Sequence, residues 1–180
     1  MPDQDAIKVF RPSLVIRYSF LLGMQTLFTV GHSNHTIEAF VKLLLAHNIA
    51  QVVDVRTFPS SRYSPQFNQE ALKESLKAAG IDYVWAGKQL GGKGKTNGEL
   101  RQTAAFRQAL KELIRQSQEQ PTAMMCAEED PFQCHRRYLL ARSLMEDFSF
   151  VDIEHIRKDS TVQLEPGFPD SAVQMTLGIE

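Results

Sequence analysis

Apolar residues along the chain alternate between short continuous runs and stripes at helical spacing. The short runs predict five strands, at residues 26–30, 51–55, 82–85, 122–126 and 150–156. The stripes predict four helices, at residues 36–47, 69–79, 104–118 and 134–145. Because strands alternate with helices, we expect an α/β fold. Its sheet should be mostly parallel with about five strands and helices on both faces, a Rossmann-like three-layer arrangement.

The two ends of the chain lack this alternation. Residues 1–24 are partly apolar, but Arg17 interrupts them, and the apolar run is too short for a membrane span or a clean signal peptide. We interpret them as an N-terminal extension that results from a start codon assigned too early, with a real amphipathic or strand-forming arm as the alternative. Residues 25–158 form the predicted single domain. Residues 159–180, with Pro166, Gly167 and Pro169, are predicted to be a loosely attached tail.

Composition narrows the function classes only slightly. The chain has 180 residues and a formal net charge of −1, so no global basic field favours nucleic acid. Two cysteines are too few for a disulfide framework, so we expect reduced thiols, a cytoplasmic location and no membrane association. The three-glycine dinucleotide fingerprint and the phosphate-loop pattern are absent, and we predict no cofactor.

Polar residues are concentrated in the loops that follow the first four predicted strands. In a parallel sheet these loops emerge at one edge, where ligands of such folds bind. The residues expected to converge there are His32, Ser33, Asp54, Arg56, Arg62, Lys88, Lys93, Lys95, Cys126, Glu128, Cys134, His135 and Arg136. The many cations in this set favour a small anionic ligand, such as a phosphate or a nucleotide.

Each loop also has a structural interpretation. The segment GHSNHT, with Gly31 and Ser33 as candidate ligand-binding residues, either binds an anion through backbone amides or only turns the chain and caps a helix. Arg56 either binds a ligand oxyanion, oriented by Asp54, or forms a structural ion pair with it. The remaining candidate ligand-binding residues are Arg62, Asn68, Gly91, Gly92 and Arg136.

Four interpretations compete for the two thiols, Cys126 and Cys134. A zinc site is disfavoured because Cys-x7-Cys-His is not a usual finger spacing, and we predict no metal. A redox pair more often has the Cys-x-x-Cys spacing. Buried structural thiols are a third possibility. The fourth is a nucleophile. Cys134 in the first turn of a helix beside His135 and Arg136 would have a lowered pKa, and Cys126 at the end of a strand would be either the attacking group or its partner. Candidate proton carriers are His32, Glu128 and His135.

Four segments of the chain together resemble the domain-of-unknown-function family 488. They are TVGHSNHTIEAF, VVDVRTFPSSRYSPQFN, QLGGK and MCAEEDPFQCHRR, and the similarity runs from about Thr26 to Ile156. The family's patterns match Gly31 to Ser33, Val53 to Arg56, Pro65 to Asn68, Cys126, Glu128, and Asp130 to Arg136. The resemblance implies an α/β domain from a bacterial or archaeal cytoplasm, and it supplies no reaction.

Two functional hypotheses and one structural hypothesis follow. In the first, the chain is an enzyme for a phosphorylated or nucleotide-like substrate, with a thiol nucleophile. In the second, it is a non-catalytic nucleotide or nucleic-acid binding module. The residues of that module would be Arg62, Tyr63, Phe67, Trp85, Lys88, Lys93 and Lys95. In the third, the motifs mainly hold loops together. The sequence leaves enzymatic activity and oligomeric state open.

Overall fold

The computed structural model describes residues 24–94 and 96–168 and contains a six-stranded sheet. Its strands are β1 (Gln25–Gly31), β2 (Gln51–Asp54), β3 (Asp82–Trp85), β4 (Thr122–Cys126), β5 (Val151–Ile156) and β6 (Val162–Leu164). The order across the sheet is β3-β2-β4-β1-β5-β6. The first five strands run parallel, and β6 is antiparallel to β5. The predicted α/β fold is therefore confirmed, but with six strands instead of five.

Helices cover both faces of the sheet. They are α1 (Ile37–Ala46), α2 (Gln69–Ala78), α3 (Gly87–Leu90), α4 (Asn97–Gln102), α5 (Ala104–Glu119) and α6 (Arg142–Asp147). One core packs α1 and α2 on the sheet, with Phe40 and Leu72 fully buried. The other core lies under α5 and α6, with Leu110 and Leu144 nearly or fully buried. Covering both faces explains why the central strands β2 and β4 are buried at every position.

The strand register brings three strand ends together. Gly31 at the end of β1 pairs with Cys126 at the end of β4. On the other side of β4, Asp54 at the end of β2 pairs with Met125. The loops after β1, β2 and β4 therefore leave the sheet side by side, at the edge predicted to bind a ligand.

Two regions of the chain differ from the sequence prediction. The segment between the third predicted strand and the helix predicted at 104–118 was expected to be a loop, but it contains α3 and α4. Thr96 and Glu99 form a capping box that begins α4. The predicted helix at 134–145 instead begins as a π-helix, Arg136–Ala141, that continues into α6. The expectation that Cys134 lies in its first turn was wrong. Pro131 starts a separate 3₁₀ turn, Pro131–Gln133, which ends at Cys134 in an extended conformation.

Part of the predicted C-terminal tail is integrated in the fold. Residues 162–164 form β6, and Glu165 is buried in an ion pair with Arg137 and a hydrogen-bond contact with His155. A three-residue exposed strand has no apolar run, so periodicity could not reveal it. Residues 1–23 of the predicted extension, Lys95, and residues 169–180 of the predicted tail lie outside the described residues. Within residues 24–94 and 96–168, no helix has both the length and the apolar character required to span a membrane.

Candidate functional site

A pocket of about 740 Å³ lies where the loops after β1, β2 and β4 leave the sheet. Among the residues predicted at this edge, nine line it: His32, Ser33, Arg56, Gly92, Lys93, Cys126, Glu128, Cys134 and His135. Of the predicted residues that the structure describes, seven lie outside its wall: Gly31, Asp54, Arg62, Asn68, Lys88, Gly91 and Arg136. The thiol chemistry therefore converges on the pocket, whereas most of the expected cations do not.

One wall of the pocket is formed by Cys126, Glu128, Cys134 and His135, which we call the thiol cluster. Oε2 of Glu128 lies 2.9 Å from Sγ of Cys126 and 3.2 Å from Sγ of Cys134. Nδ1 of His135 lies 3.7 Å and 3.8 Å from the same two sulfurs. A carboxylate oxygen and an imidazole nitrogen are thus shared between two thiols that are nine-tenths buried or more.

The orientation of His135 is fixed by its second ring nitrogen. Nε2 lies 3.2 Å from the carbonyl oxygen of Val55, which can only accept a hydrogen bond. The proton on Nε2 leaves Nδ1 with its lone pair directed toward the two sulfurs. Gly92 permits this packing, because a Cβ at Gly92 would lie 2.8 Å from Cβ and Cγ of His135. The imidazole is therefore positioned as a proton acceptor or as a ligand.

The two thiols are electrostatically unequal. The hydrogen bond from Cys126, together with His135 and the positive charge of Arg136, lowers the pKa of the Cys134 thiol below its usual value, against the effect of burial. Cys126 shifts in the opposite direction: its hydrogen bond with Cys134, and then burial, raise its pKa. The opposite directions of these two pKa shifts favour a thiolate at Cys134 and a protonated thiol at Cys126.

Arg136 holds the backbone of the thiol cluster in place. Its guanidinium is fully buried and donates to the carbonyl oxygens of Glu128 and Glu129 and to Oγ1 of Thr29. Burial raises the pKa of Glu128, but hydrogen bonds from the thiols and its own backbone outweigh burial, and the net shift is downward. Gly31 is required opposite this turn, because a Cβ there would collide with the carbonyl oxygen of Glu128. Arg136 and Gly31 therefore fix the backbone that carries Glu128, without lining the pocket themselves.

A second polar group, His32, Asp54 and Arg56, forms what we call the arginine cluster. Arg56 donates to both carboxylate oxygens of Asp54, at 2.9 Å and 2.6 Å, and to the carbonyl oxygen of Phe67 at 2.8 Å. Its Nη1 lies 3.2 Å from Nε2 of His32, and Tyr83 donates to Asp54. These contacts use four of the five N–H groups of the guanidinium. Arg56 therefore has at most one N–H group for a ligand.

His32 is held as a neutral imidazole. Nδ1 lies 2.9 Å from the carbonyl oxygen of Ser33, so it carries the proton, and Nε2 accepts from Arg56. Burial, and then the charge of Arg56, lower the pKa of His32 to about 4. Its ring also stacks on buried Phe67, with centroids 4.3 Å apart. Because both ring nitrogens already have protein partners, this geometry gives no support to His32 as a proton carrier.

A model of the family described as Domain of unknown function DUF488 matches residues 36–101 and 97–143. These two matches together cover more than half of the chain. The chain belongs to this family. No curated protein and no solved structure showed significant similarity to it. The description of DUF488 names no reaction, so the chemistry has to be inferred from the pocket itself.

The DUF488 pocket also contains polar residues that sequence reasoning did not select. They are Asn34, Thr57, Ser60, Ser61, Ser64 and Gln133, together with the neighbouring Phe58 and Ala127. The signal available was the hydroxyl-rich segment TFPSSRYS after β2. Asn68, predicted as a ligand, instead accepts from the backbone N–H of Ser61 at 2.7 Å and closes this loop. Arg62 is exposed.

The fold of this DUF488 chain strengthens the argument for a metal site. The sequence prediction of no metal depended on the unusual spacing of Cys126, Cys134 and His135 along the chain. In space, one potential ligand atom from each of these residues lies within 4.8 Å of the others. Together with Oε2 of Glu128, the thiol cluster offers two sulfurs, one nitrogen and one oxygen, which is a donor set that suits zinc.

Proposed function

We propose that the chain is an enzyme that binds a small anionic substrate in this pocket and attacks it with the thiolate of Cys134. The observation that carries the proposal is the placement of Cys134 in the pocket wall, with His135 and Glu128 both within reach of its sulfur. A nucleophile beside a base that is itself oriented by a third group is the arrangement that covalent catalysis requires. Here the third group is the Val55 carbonyl.

The thiol cluster divides the roles between its members. Cys134 has the lowered pKa and supplies the attacking sulfur, whereas Cys126 stays protonated and donates a hydrogen bond. Attack forms a bond from sulfur to the electrophilic atom of the substrate as the bond from that atom to its leaving group breaks, and water then cleaves the bond to sulfur. His135 takes the thiol proton through Nδ1 and returns it to the leaving group. Glu128 balances the charge of protonated His135.

The rest of the pocket supports a small polar substrate. Its volume of about 740 Å³ lies in the usual range for small-molecule sites. Lys93 lines the pocket, and its backbone N–H donates to Oγ1 of Thr57. Ser60, Ser61 and Ser64 add hydroxyl groups to the same side. One lysine and several hydroxyls can bind a phosphate or carboxylate group, although without the arginine clamp that the sequence suggested.

The test is a thermal-shift screen of small phosphates and carboxylates on the full chain, freed of metal by a chelator. A ligand at a hundred times its dissociation constant should add about 2.7 kcal/mol to the free energy of unfolding. The same ligand should slow the reaction of Cys134 with iodoacetamide, measured by peptide mass mapping. Lys93→Gln should weaken both effects, whereas Lys111→Gln, an exposed lysine on α5, should preserve them.

A compound that stabilises the chain without protecting Cys134 binds elsewhere and contradicts the proposed site. Equal responses of the Lys93 and Lys111 variants would remove Lys93 from the anion site. If no phosphate or carboxylate in the panel shifts the melting temperature or protects Cys134, the proposal of an anionic substrate fails.

A nucleotide or nucleic-acid binding role is the second candidate. Phe58 and Tyr63 are 67% and 91% exposed in the loop beside the pocket, and the Lys93 ammonium lies 5.9 Å from the Phe58 ring centroid. Exposed aromatic rings and a cation suit base stacking and phosphate contact. Phe67, predicted for the same role, is fully buried and cannot stack on a base. Binding of a single-stranded oligonucleotide that weakens steeply with salt, and is lost in Phe58→Ala, would favour this role.

A further inference from the structure

The thiol cluster brings three potential metal ligands together, from Cys126, Cys134 and His135, and a carboxylate oxygen of Glu128 contacts both sulfurs. They come from three short segments: Cys126 ends β4, Glu128 lies in the turn that follows, and Cys134 and His135 lie between the 3₁₀ turn and the π-helix. The ligand atoms of the two cysteines and the histidine all lie within 4.8 Å of one another. No other group of three such residues meets this criterion among residues 24–94 and 96–168.

The separations between these atoms approach those of a tetrahedral zinc site. Bonds of about 2.3 Å to sulfur and about 2.0 Å to nitrogen separate sulfur from nitrogen by about 3.5 Å in a tetrahedron. Nδ1 of His135 lies 3.7 Å and 3.8 Å from the two sulfurs, which is within a few tenths of an ångström. Oε2 of Glu128 lies closer, at 2.9 Å and 3.2 Å, so a cation would push the carboxylate slightly outward.

The surrounding contacts are those that orient metal ligands. A histidine ligand usually donates its other ring N–H to a carbonyl or carboxylate, and Nε2 of His135 faces the carbonyl oxygen of Val55 at 3.2 Å. The backbone at Glu128 is fixed by the buried guanidinium of Arg136. The ligand atoms are therefore held in place before any ion arrives, which reduces the cost of binding.

We propose that Cys126, Glu128, Cys134 and His135 form a binding site for a thiophilic divalent cation of the Zn²⁺ class. Two thiolates and one carboxylate carry three negative charges, which a divalent cation reduces to one. Binding releases the remaining thiol protons to solvent. In the metal-bound form neither sulfur is a free nucleophile, so cation binding and attack by Cys134 are alternative states of one pocket. The site itself does not depend on the proposed reaction.

The test is titration of the reduced, metal-free full chain with Co²⁺ alone, followed by visible and near-ultraviolet absorption. We expect saturation at one equivalent, the intense visible bands of tetrahedral Co²⁺, and a sulfur-to-cobalt charge-transfer band that Zn²⁺ abolishes. The chain has only two cysteines, so any charge-transfer band reports on this cluster. Loss of an outer-shell group already weakens metal sites about 10–100-fold, so Cys126→Ser and Cys134→Ser should weaken Co²⁺ binding at least about tenfold.

Matched controls separate the cluster from its surroundings. Glu128→Gln should change the spectrum, whereas Glu129→Gln, one residue further along, should not. His135→Gln should weaken binding. His47→Gln is the control and should not, because His47 is a surface histidine outside the thiol cluster that contacts Ser160. Circular dichroism checks that each variant is folded. One measurement needs no variant: one equivalent of Zn²⁺ should protect both wild-type thiols from iodoacetamide.

Three results would overturn the proposal. The first is a pale octahedral spectrum or no saturable spectrum with the wild-type chain. The second is an unchanged Co²⁺ spectrum in the Cys126→Ser, Cys134→Ser double variant. The third is full alkylation of both thiols in the presence of one equivalent of Zn²⁺. Each leaves the thiolate proposal untouched, because that proposal is tested on metal-free protein.

Discussion

The thiol cluster and the arginine cluster lie at neighbouring strand ends, yet they use their polar groups differently. In the arginine cluster, the carboxylate of Asp54 accepts from Arg56 and Tyr83, and Arg56 is bound by a carboxylate, a carbonyl and an imidazole. In the thiol cluster, two sulfurs share one carboxylate oxygen and one imidazole nitrogen. In the arginine cluster, the hydrogen-bonding groups are nearly all used by other protein groups. In the thiol cluster, the sulfur and nitrogen atoms can still bind a ligand.

This difference indicates a structural role for the arginine cluster and a reactive role for the thiol cluster, at the same edge of the sheet. Burying charged groups is favourable only when each is paired and hydrogen-bonded, as Asp54 and Arg56 are. Such a pair holds the loop after β2 against His32 and Phe67, and so shapes the pocket. The members of the thiol cluster have weaker mutual contacts and border the pocket directly. Substitutions in the two clusters should therefore have opposite profiles of stability and reactivity.

The largest loss of stability should follow Asp54→Asn. This change leaves the guanidinium of Arg56 buried without a counter-charge, and breaking a buried pair costs about 3–5 kcal/mol. Urea denaturation measures the free energy of unfolding. The matched control is Glu112→Gln, which removes an exposed partner of Arg115 on α5 and should leave stability nearly unchanged. An Asp54 variant as stable as the wild type would contradict the scaffold role.

Acidification should destabilise the chain through His32. Its pKa is lowered to about 4 in the folded state, from about 6.5 when unfolded, so the unfolded state binds the proton first. The contribution of His32 to the free energy of unfolding is therefore fully present above about pH 6.5. It falls by roughly 3 kcal/mol as the pH drops toward 4. His32→Gln should flatten the pH dependence of unfolding. A pH profile as steep in the variant as in the wild type would show that His32 is not held neutral.

Gly92→Ala should disturb the thiol cluster at moderate cost. The new Cβ would lie 2.8 Å from Cβ and Cγ of His135, and relieving such overpacking costs about 1–3 kcal/mol. The displaced imidazole should also alter the alkylation rate of Cys134. Gly98→Ala is the control, because nothing lies within 4 Å of its Cβ position on α4, and it should not reduce stability. Equal thiol reactivity in both variants would argue against a role for His135.

Cys134→Ser should have the smallest effect on stability and the largest on reactivity. The hydroxyl is a close substitute for the thiol, and the change should stay within about 1.5 kcal/mol, the net contribution of one hydrogen bond. Peptide mass mapping should then show little alkylation at Cys126, the thiol with the raised pKa. Severe unfolding of this variant would indicate that Cys134 belongs to the scaffold instead.

The sequence was most informative where one physical rule dominates. Short apolar runs predicted all five parallel strands, and their parallel direction predicted which loops meet at the carboxyl edge. It therefore also predicted that Cys126, Glu128, Cys134 and His135 approach one another. This convergence could be predicted because it depends only on the path of the backbone and not on side-chain orientation.

The pattern of apolar and polar residues could not predict the direction in which a side chain points. Arg56 and Arg136 have the right positions for an anion site, but both turn inward to bind Asp54 and backbone carbonyls. A position in the chain does not reveal whether a nearby carboxylate or carbonyl will capture a guanidinium. The 3₁₀ turn before Cys134 and the short edge strand β6 were missed for a related reason, because local hydrogen bonds and not apolar periodicity define them.

The central claim is that the thiol cluster makes Cys134 the reactive group of this fold. The most direct test is the rate of iodoacetamide reaction at Cys134 in the reduced, metal-free wild-type chain, followed from pH 5 to 9 by peptide mass mapping. We expect a midpoint at least one pH unit below the value of about 8.5 for free cysteine, with Cys126 reacting only at higher pH. A midpoint for Cys134 at or above that of free cysteine, or preferential reaction at Cys126, would contradict it.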